Sequence, residues 1–427
     1  MRSRWGLLVA LGLVGLTGQA GAEDAMTAGD KAELQLLKER MAKLERKIES
    51  QEAFSGGISS TGEKPTAMME LPSGLQGLGM SGFVDTSFVY NFAEGNPATR
   101  TNRGRVFDVN PSGFAIQAAE IAIEKPVSDE SPIGFRTDLY FGDDAELIHS
   151  TGLGETAATG VADHFDLQQA YVVARAPIGA GIDFKVGKFV TLLGAEVIES
   201  LANWNFSRSY MFGFAIPFTH TGALVSYPIG ELGSVTGGVV NGWDIVDDNN
   251  NFKSLIGNIT LTPMEGVTLA VNGITGAEQA QNNRDDRTVV DVVASWQATD
   301  KLAFVANYDY GFESAGKSVA GFDSKNWTGL ALYAKYDIND KWAMAGRVEW
   351  FDDKDNFRTG LTSVGGATPS DIDFYGYTLT SQWKLHEHVL ARLEYRHDKA
   401  DEQVFFQDTT GFTTYQDTIA AEMIYHF

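Results

Sequence analysis

Charged, amide and aromatic side chains are concentrated in one stretch of the sequence, residues 191–221. Carboxylates and a guanidinium on opposite sides of a narrow passage create a transverse field, which orients water and filters polar solutes. The chemistry that this stretch could do is therefore the selection of a polar solute. Two interpretations are open: the stretch could narrow a passage, or it could be an ordinary surface loop. The candidate constriction residues are Glu196, Glu199, Asn203 and Arg208.

Aromatic residues of the same stretch favour the first interpretation. Trp204, Phe206 and Tyr210 lie among these charges, and Phe212 and Phe214 follow them. A loop that exposes so much apolar surface to water would be costly. We therefore expect the rings to hold the stretch against a protein wall, or to stack on a sugar.

A second group of charged residues occupies the polar positions of alternating segments. Arg392, Glu394 and Arg396 are separated by single apolar residues, so they share one face of a strand. Two roles are open for this group. They could form the charged wall of a pore, or salt bridges that stiffen the wall. The wall candidates are Arg136, Asp138, Lys185, Lys188, Arg347, Glu349, Arg392, Glu394 and Arg396.

Catalytic motifs are weak in this sequence. His149 and His164 share a predicted loop, but no reactive serine context lies beside them. Residues 311–318 fit the phosphate-loop pattern, yet the next ordered segment alternates as a strand, whereas that motif needs a helix. We therefore expect no enzyme, no metal site and no cofactor.

The composition excludes further classes of protein. The chain has 427 residues, 33 Lys and Arg against 56 Asp and Glu, and a formal net charge of −23. This acidic balance argues against a nucleic-acid partner, since phosphate binding needs a basic face. The chain has no cysteine, which excludes disulfide scaffolds, thiolate zinc sites and iron–sulfur clusters.

Residues 1–22 have the features of a secretory signal peptide. Arg2 and Arg4 form a positive region, residues 5–16 are apolar, and residues 20–22 form an Ala-Gly-Ala cleavage site. The apolar run is shorter than the roughly 20 residues that a transmembrane helix needs. The sequence therefore predicts export, either to a soluble compartment outside the cytoplasm or to an outer membrane.

Residues 23–54 are predicted to form a short heptad helix, and residues 55–78 a linker rich in Gly, Ser and Pro. The helix spans barely two heptads, so two interpretations are open. It could form an oligomeric coiled coil, or it could be a solvated helix that packs on its own domain. The apolar seam consists of Leu34, Leu37, Met41, Leu44 and Ile48.

From residue 79 onward, apolar and polar residues alternate with a period of two. In residues 415–427, for example, Ile419, Ala421 and Met423 share one face. We count about sixteen such segments, one of them at residues 222–231. They predict an all-β transmembrane barrel of antiparallel strands over residues 79–427. A soluble β-sandwich is disfavoured because aromatic residues recur at the strand ends and charges of both signs line the polar face.

The connections between these segments alternate between short and long. That asymmetry is typical of outer-membrane barrels, with short periplasmic turns and longer external loops. An even number of strands would place both ends of the barrel, and the N-terminal helix, in the periplasm. Phe427, which closes an alternating strand, resembles the signal that the outer-membrane assembly machinery recognises.

Several runs together resemble the OmpL-like outer-membrane β-barrel porins and, more distantly, the phosphate-selective porins. The resemblance covers residues 79–427 and implies a diffusion porin with no fixed solute. In classical sixteen-strand porins the third external loop, here residues 191–221, folds inward and narrows the channel. The runs that carry the resemblance lie at residues 119–126, 134–138, 166–171, 186–199, 207–210, 217–222 and 241–244.

We therefore expect an outer-membrane porin that passes small hydrophilic solutes or ions and weakly prefers cations because of its acidic mouth. The expected partners are outer-membrane lipid, the assembly machinery and, from the class and the heptad helix, two further copies in a homotrimer. The alternative is a plugged structural barrel that binds a partner through its periplasmic helix.

Overall fold

A computed structural model describes residues 77–93, 101–128, 131–153, 164–314, 324–363, 366–407 and 411–427. The predicted signal peptide and heptad helix lie outside these residues, as does the predicted linker except for its last two positions. Among the described residues, no helix is long and apolar enough to cross a membrane.

Sixteen antiparallel strands form one closed barrel, as the alternation predicts. Their bounds are Gly79–Asn91 (β1), Gly113–Lys125 (β2), Ile133–Phe141 (β3), Phe165–Ala176 (β4), Ile182–Val190 (β5), Thr219–Pro228 (β6), Gly233–Val240 (β7), Ser254–Met264 (β8), Val267–Ala277 (β9), Asp286–Thr299 (β10), Leu302–Glu313 (β11), Lys325–Asn339 (β12), Trp342–Lys354 (β13), Asp371–His386 (β14), Val389–Ala400 (β15) and Tyr415–His426 (β18). A separate two-stranded sheet pairs Phe405–Gln407 (β16) with Gly411–Thr413 (β17).

Each barrel strand pairs with its neighbours in the sequence, apart from the small hairpin of β16 and β17. The barrel closes where β1 pairs with β18, in a register that runs from Phe83 opposite His426 to Asn91 opposite Thr418. Closure leaves no strand edge unpaired, which a sheet in lipid requires because no water is present to satisfy its backbone.

The two faces of the strands differ in burial as the alternation predicts. On β15, Arg392 and Arg396 are 2% and 1% exposed, whereas Leu393 and Tyr395 are 44% and 46% exposed. The charged row therefore faces the interior of the barrel and the apolar row faces outward. This arrangement is typical of a barrel surrounded by lipid.

Strand β6 begins earlier than the sequence predicts, at Thr219 instead of residue 222. Thr219 and His220 are buried polar residues, so the apolar alternation does not reveal them. The His220 ring bonds to the Gly242 carbonyl at 2.8 Å and to the Thr191 hydroxyl at 3.1 Å. The long third connection therefore comprises residues 191–218, which we call the inward segment.

Short helices occur only within the connections of the described chain. Helix α1 covers Asp143–Ile148, and the inward segment contains a 3₁₀ turn at Ser200–Ala202 and a π-helical turn at Met211–Ala215. The apolar core lies inside the barrel, where Met211 and Phe212 of the π-helical turn join inward-facing strand residues. The fold thus brings the inward segment against the inner faces of the strands.

Candidate functional site

The inward segment crosses the barrel from β5 and reaches strands on the far side. The Gly194 amide donates to Asp291 Oδ1 of β10 at 3.1 Å. The Ala195 amide donates to Asn307 Oδ1 of β11, also at 3.1 Å. These contacts fix the backbone at the start of the segment, several strands away from the β5 and β6 strands that it connects.

Arg347 of β13 holds the next part of the segment. Its Nη1 lies 2.8 Å from Glu196 Oε1 and 2.6 Å from the Ser207 carbonyl. Its Nε donates to Glu349 Oε1 at 3.1 Å. Glu196 uses its other oxygen to accept from the Ser209 amide at 2.7 Å, so every charge in this group has an opposite charge or a donor.

Strand β15 supplies two more arginines, and we call Arg347, Arg392 and Arg396 the arginine row. Arg392 Nη1 donates to the Ser200 carbonyl at 3.0 Å and to Glu422 Oε2 at 2.8 Å. Arg396 Nη1 donates to the Arg208 carbonyl at 2.7 Å. The arginine row therefore binds the backbone of the inward segment, besides pairing with carboxylates of the wall.

Glu394 lies between these two arginines in the sequence and binds the segment through its negatively charged carboxylate. Its carboxylate accepts from the amides of Phe206 at 2.7 Å and Ser207 at 3.0 Å. Glu349 does the same for the Tyr210 amide at 2.6 Å. Carboxylates that accept from backbone amides form strong, charge-assisted hydrogen bonds, so this wall orients the segment closely.

The predicted constriction residues Asn203 and Arg208 mainly shape the segment itself. Asn203 accepts from the Val197 amide at 3.0 Å and donates to the Val197 carbonyl at 2.7 Å. Arg208 Nη1 donates to the Phe206 carbonyl at 2.8 Å and Nη2 to the Ile198 carbonyl. Glu199 instead faces the wall, where its Oε1 accepts from Gln168 of β4 at 2.6 Å.

The guanidinium of Arg208 also faces acidic side chains in the barrel interior. Its Nη2 lies 3.7 Å from Asp144 Oδ2 of α1. Burial lowers the pKa of Arg208, but the surrounding Asp144, Tyr140, Glu422 and Asp85 outweigh burial and raise it. Burial raises the pKa of Asp144 to about 7, although Arg208 opposes that shift. Arg208 thus lies among several acidic residues of the interior.

Aromatic residues of the segment pack on inward-facing strand residues. Met211 and Phe212 are 0% and 3% exposed and belong to one cluster with Trp327 of β12 and Phe351 of β13. The Trp327 indole donates to the Ala215 carbonyl at 3.1 Å. Apolar burial and a hydrogen bond therefore hold the end of the segment against β11 to β13.

The remaining predicted wall residues lie on β3 and β5 and pair with other wall residues. Arg136 Nε donates to Asp138 at 2.9 Å, and Lys188 lies 2.9 Å from Asp166. Lys185 stands over the Tyr171 ring, with 4.4 Å between its ammonium and the ring centroid. The structure therefore places these four residues apart from the arginine row.

Several residues that contact this region were not predicted. Asp398 continues the inward row of β15 by one step beyond Arg396, so extension of the alternation would have found it. Glu422 lies within the polar row of β18 that the alternation itself defines. Arg105 and Asp144 belong to connections and have no periodic signal. Arg105 Nη2 lies 2.6 Å from Asp398 and Nη1 2.5 Å from Asp108, which draws a second connection into the barrel.

A closed barrel of sixteen antiparallel strands is the architecture of the outer-membrane porins. Residues 77–427 match the model of the family described as "Putative beta-barrel porin-2, OmpL-like". The chain belongs to this OmpL-like family of outer-membrane β-barrel porins. Family and fold together support a channel role in the outer membrane.

Solved structures with the same fold are distant in sequence. OprB of Pseudomonas putida is 13% identical with a TM-score of 0.56, and the match covers 86% of this chain and 100% of OprB. The DcaP channel of Acinetobacter baumannii is 12% identical with a TM-score of 0.54, over 82% and 97% of the two chains. A trimer form of Vibrio cholerae OmpT is 12% identical with a TM-score of 0.52, over 82% and 99%. No curated protein matches the sequence.

Proposed function

We propose that the protein forms a water-filled diffusion channel for small hydrophilic solutes or ions, and that the inward segment narrows it. The observation that carries this proposal is the path of the segment across the barrel, from Gly194 at Asp291 to Ser200 at Arg392. A segment bound to strands on the far side occupies cross-section that a solute would otherwise use. Charges on both of its sides would then act on the solute at close range.

A weak preference for cations is the second part of the proposal. Arg347, Arg392 and Arg396 each have a carboxylate partner, so their charges are largely balanced. Carboxylates in the long connections, such as Glu146, Asp247 and Asp355, are in contrast exposed. These exposed carboxylates, together with the net charge of −23, would attract cations to the mouth of the channel.

Single-channel current in a planar bilayer with a salt gradient tests both parts. Discrete steps with a reversal potential of the cationic sign are expected. A reversal potential of the anionic sign would contradict the cation preference, but the proposal of an open channel would still hold. The absence of current from folded, heat-modifiable protein would reject the open channel.

A plugged structural or partner-binding barrel is the second candidate function. It is favoured by the density of apolar side chains inside the barrel, where Val289, Ile372 and Phe374 are each 0% exposed. A lumen filled in this way would pass little without movement of the inward segment. The same bilayer measurement separates the candidates, since a plugged barrel would be silent.

We also propose that the barrel assembles as a homotrimer with its N-terminal helix in the periplasm. Support comes from the sixteen-strand architecture and from the heptad seam predicted at residues 23–54. Vibrio cholerae OmpT, which shares the fold, has a trimer form. Chemical crosslinking of the folded protein should give a three-chain band, and finding only single chains would reject the trimer.

A further inference from the structure

Three histidines meet at the end of the barrel where the connections are short. His386 ends β14, His388 lies in the turn before β15, and His426 ends β18. The ring centroids of His386 and His388 are 5.9 Å apart, and those of His388 and His426 are 5.8 Å apart. His388 is therefore the central member, with one ring on either side.

The backbone holds these three residues in place. The His426 amide donates to the His388 carbonyl at 3.0 Å, which ties the last strand to the turn. The His388 amide in turn lies 3.4 Å from His386 Nδ1, a long contact that a small rotation of the ring would release. The three side chains thus start from fixed Cα positions on a rigid rim.

One ring nitrogen in this group is without a partner. His388 Nδ1 is buried, and no hydrogen-bond donor or acceptor reaches it among the described residues. On its other side, His388 Nε2 lies 3.8 Å from Glu387 Oε1. A buried imidazole nitrogen that makes no hydrogen bond is costly, and a bound metal ion would satisfy it.

The spacing suits a metal ion bound by imidazole. Zinc–nitrogen bonds of about 2.0–2.1 Å and a tetrahedral angle place the centroids of two ligating rings roughly 5 Å apart. The two observed separations exceed this value by less than 1 Å. Among the described residues, no three His, Cys, Asp or Glu side chains already converge as ligands do, so the rings must turn to close on the ion.

We propose that His386, His388 and His426 form a site for a divalent transition-metal ion such as Zn²⁺, Ni²⁺ or Cu²⁺. Imidazole nitrogens suit these ions, whereas Ca²⁺ and Mg²⁺ prefer oxygen ligands. Three imidazoles leave a fourth position for water or for Glu387. The ion would join the β14–β15 turn to β18 and would place positive charge on the rim.

The test uses the full-length barrel in detergent without a histidine tag. Calorimetric titration with Zn²⁺ should give one ion per chain, and the electron paramagnetic resonance spectrum with one equivalent of Cu²⁺ should show at least two coordinated nitrogens. His388→Ala should weaken Zn²⁺ binding by at least tenfold. His386→Ala and His426→Ala should weaken it to a smaller or equal degree.

A matched control keeps the result specific. His397→Asn removes a histidine near the opposite end of β15, away from the rim, and should leave Zn²⁺ affinity unchanged. Zn²⁺ should also raise the thermal midpoint of the parent barrel but not that of the His388→Ala variant, since an ion that binds only the folded state stabilises it. Absence of binding, or equal affinity in parent and His388→Ala, would overturn the site.

Discussion

Arg347 and Glu196 form a buried ion pair with 2.8 Å between Nη1 and Oε1, although 151 positions separate them in the sequence. The pair connects a barrel strand with the inward segment at the point where the segment turns along the far wall. Glu349 supplies a second carboxylate to the same guanidinium at 3.1 Å. Arg347 is therefore the charge on which the position of this part of the segment depends.

Replacing Arg347 by Ala should release the segment. The change leaves Glu196 and Glu349 as buried carboxylates, and breaking a buried pair in this way costs about 3–5 kcal/mol. We expect larger and noisier single-channel conductance than in the parent protein. Arg284→Ala, at an exposed position in a connection, is the control and should leave conductance unchanged. Unaltered conductance in Arg347→Ala would show that the pair does not position the constriction.

Gly311→Ala should loosen the other end of the segment. Gly311 of β11 is paired with Trp327 of β12, and a Cβ at position 311 would overlap the Trp327 indole. Displacing the ring breaks its hydrogen bond to Ala215, and overpacking of this kind costs about 1–3 kcal/mol. We expect a lower midpoint of thermal unfolding. The midpoint is measured as the temperature at which the heat-modifiable band shifts on gels.

Gly257→Ala is a matched control for Gly311→Ala. Gly257 lies on β8, and the atom nearest to an added Cβ is the Thr236 carbonyl oxygen at 3.5 Å, an ordinary contact. Its midpoint should stay near that of the parent. If both variants unfold at the same temperature, the packing of Trp327 contributes little to stability.

Much of the barrel could be predicted because a strand in lipid has a strict rule for its two faces. The row of Arg392, Glu394 and Arg396 follows a period of two, so its common inward face could be read directly from the sequence. The same rule gave the sixteen strands and most of their bounds. It failed at Thr219 and His220, whose buried polar side chains bond to Ser150, and to Gly242 and Thr191, and follow no apolar alternation.

The interior contacts could not be predicted in the same way. Residues 191–218 have no period, so the sequence indicates a site through its composition but not its partners. Nothing in the sequence links Glu196 with Arg347, or Arg105 with Asp398, because these pairs depend on how a long connection folds back. The aromatic content did favour packing against a wall. In the structure, Met211 and Phe212 pack in one buried cluster with Trp327 and Phe351 of the wall.

Asp144 should make stability depend on pH. Burial raises its pKa in the folded protein to about 7, above the value of 3.8 for an unperturbed Asp. A carboxyl with a raised folded pKa favours folding when it is protonated, so its contribution is present at low pH. That contribution is lost as pH rises from about 4 to about 7, and it amounts to on the order of 4 kcal/mol at most.

Thermal midpoints of the parent and Asp144→Asn measured between pH 5 and pH 8 test this expectation. The parent should lose stability relative to the variant as pH rises through this range, because Asn carries no proton to lose. Asp143→Asn, at the preceding and more exposed position, is the control. A constant difference between parent and Asp144→Asn across the range would contradict the raised pKa.

Phe427 should act in assembly more than in the stability of the finished barrel. Its amide and carbonyl bond to Gly82 of β1 at 3.0 Å and 3.1 Å, and these backbone contacts survive any side-chain change. The ring is 50% exposed, so truncation to Ala removes only part of the roughly 1.5–3 kcal/mol that full burial of a Phe provides. Tyr425→Ala is a matched control, since Tyr425 lies two positions earlier, in β18, and is 51% exposed. If the assembly machinery recognises Phe427, Phe427→Ala should sharply reduce the amount of folded barrel recovered from outer membranes, while Tyr425→Ala reduces it little.

Both variants refolded in detergent should unfold at similar temperatures. Equal recovery of the two variants from cells would mean that Phe427 contributes packing alone.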